Sequence, residues 1–325
     1  MMGLLILTEP NPLEAMETVF RRTAYVLVPF SLLLIKYYPD LGMQYDLWTG
    51  ERMWVGVTTQ KNSLGRLCLI SAFFLSWAVL KAWPHRHSVA VRSRMVTDLF
   101  VLLLALFILR GPGGTYSATS ISALVLGFVA YLYLLWAGIK RRSLAAKVLA
   151  GVVAVSIVLG ISIPTIGGSG AASFVTLLGR DVTFTGRTEI WRAILPVACE
   201  SPICGMGYGS FWINPPISYS LSVMVNEAHN GYLDVFAELG LIGVGILVIL
   251  ILVACRNAGR AMANNFEWGG FALCMLLITV VHNITESSFL RPTNHMGAIL
   301  FFMVMLAAWL VQQGPVAVER HPPAS

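Results

Sequence analysis

Charge is what this chain has least of. Only 12% of its 325 residues are Asp, Glu, Lys or Arg, where a soluble globular chain carries about 25%. With 57% hydrophobic residues and a mean hydropathy of +0.74, that scarcity excludes a water-soluble fold. Other absences narrow the chemistry. No Asp-x-Asp pair occurs, so a metal-bound diphosphate is not indicated. The glycine-rich run "GMGYG" (205–209) lacks the Lys-Ser/Thr that a P-loop needs to grip nucleotide phosphates, and reads as a tight backbone turn. None of the five cysteines belongs to a CxxC motif, which argues against a zinc site. Cys68, Cys255 and Cys274 read as packing residues, while Cys199 and Cys204 share one polar segment where a small disulfide loop is open to them. No basic stripe with interleaved aromatics exists, so the net charge of +6 does not point to nucleic acid. Repeats and low-complexity tracts are absent. The opening "MMGLLILTEPNP" has too short an apolar part for a secretory signal, which leaves insertion to the first spanning helix.

Long hydrophobic runs are what the chain has in plenty. They fall at 23–38, 66–83, 95–110, 119–139, 147–163, 232–254, 268–289 and 296–312. In lipid every backbone N–H and C=O needs an internal partner, so runs of about 20 apolar residues predict spanning helices. The fold class expected is an all-α polytopic membrane protein with about eight transmembrane helices. Lys and Arg gather in short cytoplasmic connections. Here they gather in "KAWPHRHSVAVRSR" (81–94), "KRRSLAAK" (140–147) and "CRNAGR" (255–260), preceded by Arg21-Arg22. These four alternate onto one face and put both chain ends in the cytoplasm. Two segments remain for the outer face, 39–65 and the stretch from Pro164 to Gly231, too rich in Gly, Pro and polar residues to span. The expected division is N-terminal helices over 1–163, an extracytoplasmic catalytic loop over 164–231, and C-terminal helices with a short tail over 232–325.

That loop carries the candidates. "GRTEIWRAIL" predicts a helix start, with Gly186 at the cap, Glu189 three positions on, and Trp191 one turn after Arg187. A helix N-terminus beside a forked guanidinium favours phosphate oxygens, although a solvated arginine is the plainer reading of Arg187 alone. His229 stands just ahead of the run at 232, and by itself is more readily an interface residue than a base.

Taken together, the motifs resemble the O-antigen ligase and O-antigen polymerase superfamily of polytopic glycan-transfer enzymes. The resemblance rests on Gly186-Arg187, Trp191, Pro202 with Gly205-Met206-Gly207, and His229-Asn230 leading to Asp234, Glu238, Gly240 and Gly243. "GVTTQKNSLG" (56–65), "SATS" (117–120) and "NITESS" (283–288) agree with it. Members of that family usually carry more helices before the "KN" segment, and place a second basic residue for which Arg110 and Lys61 are the candidates here.

The resemblance implies a donor glycan on an undecaprenyl diphosphate lipid and, as acceptor, a hydroxyl of a glycan or of lipid A core. Membrane lipid surrounds the reaction, and no cofactor, metal or nucleic acid takes part. The site would lie on the periplasmic side of the bacterial inner membrane. His229 is the expected base and Arg187 the expected cation at the departing diphosphate, with Arg110, Lys61 and Arg291 as helpers. Asn230, Glu238 and Trp191 support them. His282 and Glu286, one turn apart if the run at 268–289 is helical, are either a functional pair or a structural one. The leading expectation is a ligase, as a metal-independent glycosyltransferase in lipopolysaccharide or exopolysaccharide assembly. A repeat-unit polymerase uses the same residues and is the alternative. A polysaccharide transporter or flippase, with His282 and Glu286 as a proton relay, is the more distant one.

Overall fold

The computed structural model describes residues 2–45, 50–112, 117–166, 187–213, 226–289, 291 and 294–313. Gly186, and with it the expected helix cap, lies outside these residues, as do the rest of 167–185, residues 214–225 and the tail from 314. The elements are α1 (Met2–Leu7), α2 (Pro12–Tyr37), α3 (Pro39–Gly42), β1 (Met43–Tyr45), β2 (Arg52–Trp54), α4 (Lys61–Ala82), α5 (Val89–Arg110), α6 (Ala118–Ile166), α7 (Arg187–Ala198), α8 (Gly231–Ala261), α9 (Phe266–His282) and α10 (His295–Gln312).

Every apolar run falls on a helix. Six helical segments are long and apolar enough to cross a membrane, two of them the parts of α6 on either side of Gly138. Of the two further runs, α5 carries Arg92, Arg94, Asp98 and Arg110 within its 22 residues, and α9 is apolar but has only 17. Helix α4 and helix α9 are apolar all round and buried at almost every position, which is the pattern of a helix enclosed by others. Helices α2, α5, α6 and α8 each leave an apolar face exposed, as lipid-facing helices do. Contact between helices is close where small residues allow it: Gly127 faces Ile278, and Gly160 lies under the Tyr232 ring.

The structure corrects several expectations. The basic stretch 140–147 is helical rather than a loop: α6 is two helical segments joined at a break at Gly138 (φ 61°), and 140–147 opens the second. The fold is not purely α: α3 leads into an antiparallel ribbon of β1 and β2 in which Gln44 pairs with Met53. Lys61 opens α4 rather than closing a loop. The run 268–289 is helical only to His282. There the Asn283 side chain donates to Thr279 O and Ser288 Oγ and accepts from Ser288 N, each at 2.8–2.9 Å. These local bonds turn the chain back on itself and leave Glu286 outside the helix.

Charge marks the two ends of the bundle. At the far end of α4, Lys81 meets Glu17 at 2.8 Å and Glu267 at 4.0 Å. Nearby, Arg21 grips both Asp98 oxygens at 3.1 and 3.2 Å, and Arg142 lies over the Phe266 ring. The basic segments are thus gathered at one end. The other end, about 33 Å away by the rise of a 22-residue helix, holds the polar cluster described next.

Candidate functional site

The start of α8 is built like a bracket. Asn230 caps it, its Oδ1 accepting from Leu233 N at 2.9 Å, while its Nδ2 donates to Gly160 O and Ile284 O at 3.0 and 2.9 Å. One side chain therefore joins α6, α8 and the turn after α9. The preceding peptide is held from both sides. Ala228 N donates to Asp234 Oδ1 at 3.0 Å, and Ala228 O accepts from the Trp191 indole on α7 at 2.8 Å. Between these ties stands His229, whose φ of 50° is the one positive value among the described non-glycine residues. A residue held in the left-handed region costs on the order of 1–3 kcal/mol and persists only when its surroundings over-determine it. Here they do.

Carboxylates converge on the ring. His229 Nδ1 lies 3.0 Å from Glu227 Oε1 and 4.0 Å from Glu286 Oε2, at ion-pair range but without the alignment of a hydrogen bond. The ring is 28% exposed, and Glu286 only 1%. Burial alone would raise the Glu227 carboxyl, but His229, Arg291 and Arg66 together hold it below the usual carboxylate range. Arg291 closes the far side, 3.8 Å from Glu227 and 3.5 Å from Asp234, with a bond to Asn226 O at 2.9 Å.

Arginine surrounds Glu286. Arg187, the first residue of α7, donates from Nη2 to its Oε1 at 2.6 Å, and Asn62 of α4 donates to the same oxygen at 2.8 Å. Arg66, one turn deeper on α4, faces Oε2 at 3.5 Å and donates to Ser63 Oγ. Its Nε and Nη1 are buried without a hydrogen-bond partner.

His229, Arg187, Arg291, Asn230, Trp191 and Glu286 are therefore brought together. Others take different places. His282 does not bond Glu286: its Nε2 lies 3.5 Å from Ser120 Oγ, which corrects the proposed pair. Glu238 works elsewhere too. Its Oε2 accepts from Gly209 N at 2.9 Å, and the backbone of 237–242 receives Met206, Gly207 and the carbonyls of Pro202 and Ile203. This clamp fills the break in α8 at Gly240 (φ 63°), and Gly205, Gly207 and Gly209 all adopt positive φ to meet it. A Cβ on Gly205 or Gly240 would run into the opposing backbone, so "GMGYG" is a turn shaped for this contact. Lys61 lines a shallow groove with Trp54, Leu64, Leu109, Gly111 and Ser117, on the same end as the cluster. Arg110 is exposed at the last turn of α5 and is not among the residues contacting the carboxylates.

Sequence reasoning passed over Arg66, Asn62 and Glu227. Arg66 had a signal, a charge inside an apolar run. Glu227 had only its place two residues before His229. The absence of Asp-x-Asp also proves a weaker argument than it looks. One ligand atom each from Glu227, His229 and Glu286 lie within 4.8 Å of one another, close enough to hold a cation. Against this, Glu286 already faces Arg187 and Arg66, and Glu227 faces Arg291, so guanidinium groups compete for the same oxygens.

The chain is similar to known proteins over this region. Residues 99–248, which hold Arg187, Glu227 and His229, match the family model described as O-antigen ligase (Wzy_C). The chain is also 27% identical over 263 residues to an exopolysaccharide production protein, ExoQ, of Rhizobium meliloti (strain 1021). That match takes in 74% of this chain but 55% of the relative, so the chain spans about half the relative's length. The two matches agree with the motifs around Arg187 and His229, and support a likeness of this multi-pass membrane protein to the O-antigen ligase superfamily.

Proposed function

We propose that this protein transfers a glycan from an undecaprenyl-diphosphate lipid to an acceptor hydroxyl on the outer face of the bacterial inner membrane. The observation that carries the reading is His229, held in a strained backbone beside Glu227 and within one cluster with Arg187. Nδ1 is the nitrogen turned to the carboxylates, so the opposite nitrogen is the one left for the acceptor. It takes the hydroxyl proton as the oxygen forms its bond to the anomeric carbon. The bond from that carbon to the phosphate oxygen breaks, and the diphosphate leaves with the electron pair. Glu227 balances the imidazolium that results, as the carboxylate does in other histidine-centred sites. Arg187 meets the departing charge; its Nη2 is engaged by Glu286, which fixes the plane of a guanidinium with five donors. Arg291 stands against Glu227 and Asp234, and on this reading it positions the carboxylate rather than binding donor. Loop 164–231 is the catalytic segment, and arginine takes the place of a metal. Ligation is the leading reaction and repeat-unit polymerisation the second, since the name of the relative speaks of exopolysaccharide production.

Complementation of ligase-null and polymerase-null hosts tests this, scored by the glycan ladder. Restored ladders on lipid A core mean ligation; single repeats growing into long chains mean polymerisation. No change in either host sinks the proposal. Transfer by the purified protein is expected to survive EDTA. Loss that magnesium or manganese restores would place a cation on Glu227, His229 and Glu286.

A further inference from the structure

The Glu286 carboxylate occupies the position an anionic substrate would want. It is buried, it lies between guanidinium groups from two separate parts of the chain, and one of its oxygens has no hydrogen bond. Arg66 is in the complementary state: a guanidinium 5% exposed, inside an apolar helix, with two nitrogens lacking an acceptor. An unsatisfied buried donor is costly and an unsatisfied buried charge more so, and such groups persist where a ligand completes them. The two defects face each other at 3.5 Å, too far for a hydrogen bond.

We propose that Arg66 and Arg187 form a two-arginine seat for one phosphate of a diphosphate, and that Glu286 is the internal anion keeping the seat assembled until that phosphate arrives. The proposal rests on the donor chemistry of the preceding section and adds a second cation and a competitor to it. Exchange is feasible because Glu286 need not be stranded. Asn62 still donates to its Oε1 when Arg187 turns to the phosphate, and His229 Nδ1 lies 4.0 Å from its Oε2. A protonated His229 would then have a carboxylate on each side, Glu227 and Glu286, at the stage when the acceptor proton has been taken. Two guanidiniums supply the paired donors that a phosphate accepts in bidentate fashion, and a lysine at either position would not. The arrangement also keeps like charges together at low cost: without an anion between them, Arg66 and Arg187 would repel in a poorly hydrated site.

The test is binding of inorganic pyrophosphate to the purified full chain in detergent. A residue that merely stabilises the fold gives weaker binding when removed. An internal competitor gives the opposite sign. Glu286→Gln, which keeps the shape and removes the charge, is expected to bind pyrophosphate tighter by roughly tenfold or more, the least that one charged hydrogen bond implies. Adding Arg66→Gln to it should abolish the gain. Binding by Glu286→Gln that is equal to or weaker than wild type overturns the proposal. If Glu286→Gln does not fold, Arg66→Gln decides alone, since Glu286 keeps Arg187 and Asn62 in that variant: binding must fall about tenfold, and unchanged binding overturns it. Glycan transfer from lipid-linked donor by the wild-type chain, run in parallel, separates the two readings. Transfer without the reversed sign in Glu286→Gln leaves the glycosyltransferase standing and removes the seat.

Discussion

The two ends of the bundle bury similar charges to different effect. At the end of Lys81, each carboxylate is answered: Asp98 takes two bonds from Arg21 and a third from the Tyr25 hydroxyl at 2.7 Å, and Glu17 takes one from Arg21 and one from Lys81. At the end of His229, the groups are as close but not closed. Arg66, His229, Asp234, His282, Glu286 and Ser287 all carry buried atoms without a hydrogen bond. Low dielectric makes a satisfied network rigid and an unsatisfied one costly. The first end is therefore close to finished structure, with Arg142 Nε the exception among the described residues, and the second is structure that awaits something. The only strained non-glycine backbone among the described residues is at that second end.

The largest expected effect is at the open end. His229→Ala should cut transfer by roughly 10²- to 10⁴-fold, the usual worth of a positioned acid or base, with donor lipid still bound. The measurement is transfer and donor binding on the same purified variant. Wild-type transfer would make the histidine an interface residue and erase the contrast between the ends.

At the closed end the damage should be to stability instead. Asp98→Ala leaves the Arg21 guanidinium with Glu17 alone and the Tyr25 hydroxyl without Asp98, and breaking a buried pair from one side costs about 3–5 kcal/mol. Thermal melting should fall steeply while transfer per folded molecule is unchanged. If transfer per folded molecule falls with it, the two ends are coupled and the comparison is wrong.

Much of this division was legible in the sequence. The eight apolar runs all lie on helices at least in part, although only six segments are long and apolar enough to span and 268–289 stops at His282. The basic segments gathered at one end, because the placement of Lys and Arg is written in composition. Arg187 and His229 could be paired through their motifs. Three things could not be read. The run "LCMLLITVVHNITESSFL" holds no Gly or Pro to stop a helix, and the stop comes from Asn283 bonding its own neighbours, so Glu286 was placed on a helix it does not join. Glu238 was assigned to the site because it follows His229, whereas the break at Gly240 turns it toward the clamp at Gly209. The strain at His229 depends on Trp191 and Asp234 reaching the peptide before it, one of them from 37 residues away.

A smaller effect separates two kinds of binding. Arg187→Ala should weaken donor-lipid binding by about 1.5–3 kcal/mol, the range for a hydrogen bond to a charged group. Arg187→Lys should recover only part, since an ammonium cannot reproduce the fork. Unchanged donor affinity in Arg187→Ala would make the Glu286 pair purely structural, and the open end would then differ less from the closed one than its geometry implies.

The smallest effect is the sharpest comparison, because the molecule contains a matched pair. Trp77 donates its indole N–H to Glu267 O at 3.2 Å at the closed end, and Trp191 donates to Ala228 O at 2.8 Å at the open end. Both rings are almost fully buried. Replacing either by Phe keeps an aromatic ring and removes the donor, so each should cost about 1 kcal/mol of stability, the net value of one neutral hydrogen bond plus a carbonyl left unpaired. Their effects on chemistry should differ. The Ala228 carbonyl belongs to the peptide before His229, and freeing it relaxes the strained φ that aims the ring. Trp191→Phe should therefore lower the turnover rate severalfold at unchanged donor affinity, an amount consistent with about 1 kcal/mol in the barrier. Trp77→Phe should leave turnover alone, since its carbonyl lies a helix length from His229. Melting temperature and single-turnover transfer on the two variants decide it. Equal loss of turnover in both, or none in Trp191→Phe, would mean that the strain at His229 is not what holds the ring in place.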